Sequence, residues 1–276
     1  TRMEALKSVN YSISRIKDEY VIMSDCDVIC NVDFNDILEN HIKTGADVTL
    51  AVKSVDLTPE SAKINVLFDS DEDGRVRDIL SYPTQFTGRA DIGLNIVVMR
   101  TEYLKQIVLD AIAHNYTSLT SDILARNMQN RNYRVYKYDG YFACISSFAD
   151  YYAHSMELLS DASARDALFN VKDRPIYTKV RNSVPAFYAA SSSVRNSMVA
   201  DGCEIEGSVE NSILFRGVKI GKNATVKNSI IMQDSIIGDG AFLNHVITDK
   251  NAVVRDNRML AGADIQPFYI QKGQMI

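Results

Sequence analysis

Apolar and polar positions follow two different rhythms along this chain. In the first part, short apolar runs end in polar turns and give way to helical spacing. "EYVIMSDCDVI" reads as a buried strand running into a polar turn, and Phe34 to Thr44 sets Ile37, Leu38 and Ile42 on one helical face. "ADVTLAVKSV" is a second strand. "KINVLFDSDEDGRVRDIL" reads as two strands around an acidic Asp-Gly turn, and "IGLNIVVMR" as a further strand. Leu104 to His114, Ser121 to Asn130 and Phe148 to Leu159 have helical spacing, with Ser118 or Ser121 as an N-cap for the second. "YRVYKYDGYFACI" is a strand and turn, and the opening "TRMEALKSVNYSISRI" an amphipathic helix. Strands alternating with helices predict an α/β domain with a largely parallel sheet over residues 1–173.

The rhythm breaks at 174–193, where "RPIYTKVRNSVPAFYAASSS" carries Pro175 and Pro185 and ends in serines. This stretch reads as an extended linker. Over 194–276 helical periodicity is absent and short phrases recur: "RNSMV", "ENSIL", "KNSII" and "LNHVI". Their asparagines, Asn196, Asn211, Asn228 and Asn244, are 15, 17 and 16 residues apart. Within the repeats, aliphatic residues recur every six positions: Val199 and Ile205; Leu214, Ile220 and Val226; Ile231, Ile237 and Leu243; Ile247 and Val253. A six-residue period with glycine or asparagine at the corners predicts a left-handed parallel β-helix with these aliphatics pointing inward.

Composition changes this picture little. The 276 residues are 46% hydrophobic and 24% charged with a net charge of −5, as in a folded globular protein, and no basic cluster marks a nucleic-acid footprint. No apolar run is long enough for a transmembrane helix and no signal peptide is evident, so a cytoplasmic location is expected. Cys26, Cys30, Cys144 and Cys203 are too scattered for a disulfide framework, and the C-x-x-x-C pair has no second Cys/His pair at a zinc spacing. The dispersed His41, His114, His154 and His245 read as packing or surface residues. Catalysis by an acyltransferase would want a β-helix histidine. His245 is the one candidate, and it sits in the repeat position.

Four strings carry a resemblance. "SDCDVICNVDF" resembles a strand-end motif, Gly-Asp-His-Ile-Tyr-Lys-Met-Asp-Tyr, of the ADP-glucose pyrophosphorylase family. "IGLNIVVM" resembles that family's Met-Gly-Ile-Tyr-Val-Phe, "DGYFACISSFADYYAHSMELL" its Tyr-Trp-x-Asp-Val-Gly-Thr and following helix, and "DRPIYTKVRNSVPAFY" its inter-domain stretch. The similarity runs over essentially the whole chain and is strongest to the GlgD-type glycogen-biosynthesis subunits. It implies a Rossmann-like nucleotidyltransferase domain followed by a left-handed β-helix, and a reaction in which the phosphate of glucose 1-phosphate attacks the α-phosphorus of ATP. That reaction needs Mg²⁺ on carboxylates, cationic side chains and a glycine-rich loop.

Each of these needs is degraded here. The family's Gly-Gly-x-Gly-Thr-Arg-Leu loop does not occur, and the chain is expected to start inside the α/β domain with its N-terminal part absent. "GVKIGKNAT" has the wrong spacing for a phosphate loop and reads as a β-helix corner. Asp27 matches the first metal aspartate, with a turn or helix-capping role as the alternative. The second metal position falls on Cys144, a poor Mg²⁺ ligand. The phosphate-pairing lysine of the family's Glu-Lys-Pro is replaced by Tyr82 in "SYP", and Asp91 stands where a small hydroxyl residue touches the sugar phosphate, which it would repel. Asp27, Tyr82, Asp91 and Gly93 are thus expected to be substrate-binding remnants, with no catalytic residue, no metal and no cofactor of this chain's own. The resemblance implies a regulatory subunit in a hetero-oligomer, a tetramer as in the family, with a catalytic ADP-glucose pyrophosphorylase subunit as partner. The alternatives are an active glucose-1-phosphate adenylyltransferase and a free-standing sugar-phosphate or nucleotide sensor.

Overall fold

The computed structural model describes residues 1–62, 65–178 and 180–276. The chain divides into two compact units, Thr1–Phe142 and Ala143–Ile276.

The first unit is a six-stranded sheet between helices. Its strands are β1 Tyr20–Ser24, β3 Val48–Leu57, β4 Val66–Ser70, β5 Val76–Ser81, β6 Gly88–Arg100 and β7 Tyr133–Lys137; β2 Val28–Cys30 lies outside this sheet. Lys63 and Ile64, the start of the expected hairpin, lie outside the described residues. The sheet order is β5-β4-β6-β3-β7, with β1 also on β6. The expected parallel sheet is corrected here. Among the described residues of this sheet only β3 and β7 pair in parallel, because the long β6 runs antiparallel to β1, β3 and β4 and separates strands that point the same way. The Asp-Gly hairpin forms as expected, with Gly74 at φ 80° between β4 and β5.

The opening sequence makes two short helices, α1 Arg2–Ser8 and α2 Asn10–Ser14. Thr1 caps α1 by accepting from the Glu4 backbone N–H. α3 Phe34–Thr44 is capped by Asp33 and closed by Gly45 at φ 59°. After the short α4 Pro59–Ala62 and the long α5 Thr101–His114, the expected Ser121–Asn130 helix begins as a π-helical segment, Leu119–Leu124, capped by Ser118. It continues as α6 Ala125–Asn127 and a final 3₁₀ turn. One sheet face buries Leu50, Val52, Phe68, Val97 and Met99 with Leu104, Val108 and Leu124; the other buries Ala51, Leu94, Ile96 and Val98 against Ile37 and Tyr138.

The second unit takes in more of the chain than the expected 194–276. α7 Phe148–Ser160, capped by Ser147, and α8 Ala162–Phe169 belong to it. The reason is packing: Tyr152 of α7 is buried with Ile230 and Ile247 on the outside of the solenoid. The expected linker also ends early. Phe187 and Tyr188 already pair with Glu204 and Ile205 as the first rung of one solenoid face; Lys179, inside the linker, lies outside the described residues.

The solenoid is a parallel β-helix with three sheet faces. Inward residues stack in register as Val194–Val209–Val226–Leu243–Leu260, as Ile205–Ile220–Ile237–Val254 and as Val199–Leu214–Ile231–Thr248–Ile270. From Ile205 to Leu243 the six-spaced aliphatics are at most 1% exposed. The last coil departs from the expected phase. Its inward residues are Thr248 and Val254, where Ile247 and Val253 were expected. The cause is the corner: Asn196, Asn211 and Asn228 hold φ of 42°, 48° and 45°, and the fourth such corner, at φ 52°, is His245 rather than Asn244. The true step is 17 residues, so every later position shifts by one. Asn244 remains in the side-chain ladder that joins these coils, accepting from Asn228 at 2.9 Å, as Asn211 accepts from Asn196 at 2.8 Å. Ile247 faces outward and is buried by Tyr152.

Candidate functional site

The polar centre of the first unit forms where β6 is irregular. Leu50 of β3 pairs with Val97 and Val52 with Gly93, so three residues of β6 oppose one of β3. Asn95 lies in this bulge at φ 58°, a conformation asparagine tolerates better than most residues. The bulge sends the Asn95 amide toward the turn after β1, where its Nδ2 makes long hydrogen bonds of 3.4 Å to both carboxylate oxygens of Asp27. Beside it, Arg2 of α1 donates from Nε to Asp25 at 3.0 Å, pairs a second time with the same carboxylate, and reaches the Asn95 carbonyl at 3.3 Å. Asp25, Asp27, Asn95 and Arg2 therefore make one network. Sequence reasoning singled out only Asp27; a polar residue inside the apolar run "IGLNIVVM" was the available signal for Asn95.

Of the other expected remnants, Asp91 and Gly93 lie on β6. Asp91 is a largely buried carboxylate, its side chain 11% exposed. It accepts a hydrogen bond from Ser54 Oγ and pairs with Lys137 Nζ at 3.5 Å. Its charge, expected to act only as a repeller, is thus matched within the protein. A buried carboxylate so paired is far cheaper than a bare one. Gly93 has a packing reason: a Cβ there would come within 2.9 Å of Phe68 Cε2. Below it lies a cavity of about 30 Å³ bordered by Arg2, Phe68, Gly93, Asn95 and Thr120, room for little more than water. Tyr82 sits past the end of β5 at φ 54°, its backbone N–H held by the Asn65 carbonyl at 3.0 Å and its side chain 57% exposed. Cys144 ends β8 Phe142–Cys144 and belongs to the second unit.

Mg²⁺ takes several hard oxygen ligands at short range. By the resemblance, Asp27 stands at one family metal position and the Cys144 thiol at the other. Among the described residues no group of three or more His, Cys, Asp or Glu side chains is arranged to hold a metal. Among the described residues no helix is long and apolar enough to cross a membrane.

Comparison with known proteins agrees with this geometry. Residues 184–267 match the family model described as GlmU-like, C-terminal hexapeptide. Over 259 residues the chain is 36% identical to the glycogen biosynthesis protein GlgD of Geobacillus stearothermophilus, covering 94% of this chain and 64% of that protein. The GlgD protein of Bacillus subtilis (strain 168) is 32% identical over 213 residues, covering 77% of this chain and 51% of that protein. The glucose-1-phosphate adenylyltransferase of Thermosipho africanus is 29% identical over 213 residues, covering 76% and 50%. The chain spans between half and two thirds of the length of these relatives. With an α/β unit carrying the strings around Asp27 and Gly93, and a hexapeptide solenoid after it, the chain is a relative of the ADP-glucose pyrophosphorylase family, GlgD-type proteins included.

Proposed function

We propose that the chain is the non-catalytic, modulating subunit of a glucose-1-phosphate adenylyltransferase assembly that makes ADP-glucose for glycogen. The observation that carries this reading is the replacement of the phosphate-pairing cation. Tyr82, half exposed in a strained turn, stands at the family's lysine position and brings no positive charge. Lys137, at the end of β7, is committed to Asp91 of β6. A sugar phosphate arriving at Tyr82 as a dianion meets a neutral phenol. Losing one such cation costs roughly 10²–10³ in rate, and losing a metal carboxylate about as much again. A subunit of this kind acts through differential contacts with a catalytic partner, by biasing one of the partner's states over another. Hetero-oligomeric assembly, a tetramer as in the family, and a cytoplasmic setting follow as parts of the same proposal. The rival reading, an active enzyme, has Asp27 in its favour.

The test is turnover of ATP and glucose 1-phosphate with Mg²⁺ by the complete polypeptide that contains this sequence. No ADP-glucose above background is expected. Turnover that disappears in Asp27→Asn would contradict the proposal and favour the active enzyme.

A further inference from the structure

A second polar cavity lies in the first unit, away from the residues of the proposed remnant site. Its volume is about 120 Å³, and Tyr20, His41, Asp47, Arg100 and Tyr103 border it. His41 is 1% exposed and yet lines this space. Its Nδ1 is 2.8 Å from Thr49 Oγ1. The Thr49 hydroxyl is fully buried, and His41 Nδ1 is its hydrogen-bond partner among the described residues. A buried O–H donates, so Nδ1 accepts and the ring proton resides on Nε2. The imidazole is therefore fixed as a donor at its remaining polar atom.

Two arginines stack on rings that border the cavity, and one of them, Arg100, borders it as well. Arg100 lies over the Tyr20 ring at 5.1 Å and Arg131 over the Tyr103 ring at 4.5 Å. Stacking holds each planar guanidinium in place. The carboxylates are spent unequally. Asp47 accepts from the Asn132 backbone N–H at 2.8 Å and from Arg131 at 3.4 Å. Glu19 pairs with Arg100 on the surface, where both side chains are about 60% exposed (59% and 62%). Such an exposed pair is worth little and is easily exchanged. The Asp47 carboxylate is thus in use, while Arg100 and the imidazole N–H offer donors. Burial first, and Arg100 second, keep the His41 imidazole below the usual histidine range, so it enters as a neutral donor near neutral pH.

We propose that this cavity binds a small oxyanion, a phosphate or carboxylate group, between Arg100 and the Nε2–H of His41, with Glu19 displaced. The volume suits a group of a few heavy atoms and excludes a nucleotide. This inference stands apart from the subunit reading and holds or fails without it.

The experiment is a histidine-labelled NMR titration of the full chain with inorganic phosphate. His114, His154 and His245 serve as internal controls. Saturable movement of the His41 ring signals, with the other three nearly still, is the expected result. Arg100→Gln, at an exposed position that tolerates change, is expected to weaken the effect roughly tenfold or more. Acetate as a second probe separates a phosphoryl from a carboxylate ligand, and saturation by either supports the site. His41 signals that stay still with both probes overturn it, as does movement of all four histidines together or an unchanged titration in Arg100→Gln.

Discussion

The solenoid and the sheet around β6 differ in how closely they keep to a pattern. Along the solenoid the repeat is almost intact. Ile205, Ile220 and Ile237 stack in one row, each at most 1% exposed, and the coils above and below leave no room for another chemistry. Around β6 the backbone forms a bulge at Asn95 and a hairpin before it, while Tyr82 and Asp91 stand where the resemblance implies a lysine and a small hydroxyl residue. Packing demands an aliphatic at every inward rung whatever the protein does. A phosphate-binding cation is demanded only where phosphate is handled. Under the proposed function, the contrast is that of a scaffold whose shape remains useful and whose own catalysis does not.

The largest expected effect breaks the solenoid. Ile220→Asp places an unpaired charge in a closed core and should cost several kcal/mol, enough to lose cooperative unfolding of the second unit. Hydrogen exchange that reports each unit separately checks this, with the first unit's amides keeping their protection. Its neighbour Lys219 faces out and pairs with Glu204 at 3.0 Å on the surface, so Lys219→Ala should cost under about 1 kcal/mol. If the two variants behave alike, the inward register is wrong.

A medium effect is expected at the helix that covers the solenoid. The Tyr152 hydroxyl donates to the Asn228 carbonyl at 2.6 Å and accepts from His245 Nδ1 at 2.8 Å. Tyr152→Phe leaves the ring packing and strands both partners, and a loss of about 1–3 kcal/mol should appear in chemical denaturation of the second unit.

A smaller effect separates the units by pH. His41 has its folded-state pKa lowered, by burial first. The unfolded chain therefore takes up a proton before the folded one does. The first unit should keep its full stability above the unfolded value of about 6.5 and lose part of it as the pH falls below that. Denaturation midpoints between neutral pH and pH 5 should move for the first unit and flatten in His41→Gln. A slope unchanged by the substitution would assign the acid sensitivity elsewhere.

Much of the fold was legible because burial has a period. The six-residue spacing announced the β-helix, and the Asp-Gly turn announced the β4–β5 hairpin. The phase slip at His245 was not legible, because a histidine occupied a positive-φ corner where asparagine stands in the other coils and Asn244 next to it preserved the apparent pattern. Strand direction was hidden for a different reason. Alternating strands and helices look the same whether a strand such as β6 enters parallel or antiparallel, since pairing partners leave no local mark. At the site, Asp27, Tyr82, Asp91 and Gly93 could be placed through the family strings. Lys137, Ser54 and Arg2 could not, because they reach Asp91 or Asp25 from strands and a helix distant in sequence.

The central claim is that this scaffold acts through a partner and not through its own chemistry. The direct measurement is titration of the complete polypeptide into a catalytic glucose-1-phosphate adenylyltransferase from the same cell, following ADP-glucose formation and assembly mass together. The account expects a saturable change in rate, or in effector response, that coincides with a shift to a mixed assembly. Mass and rate that both stay those of the catalytic protein alone would contradict it.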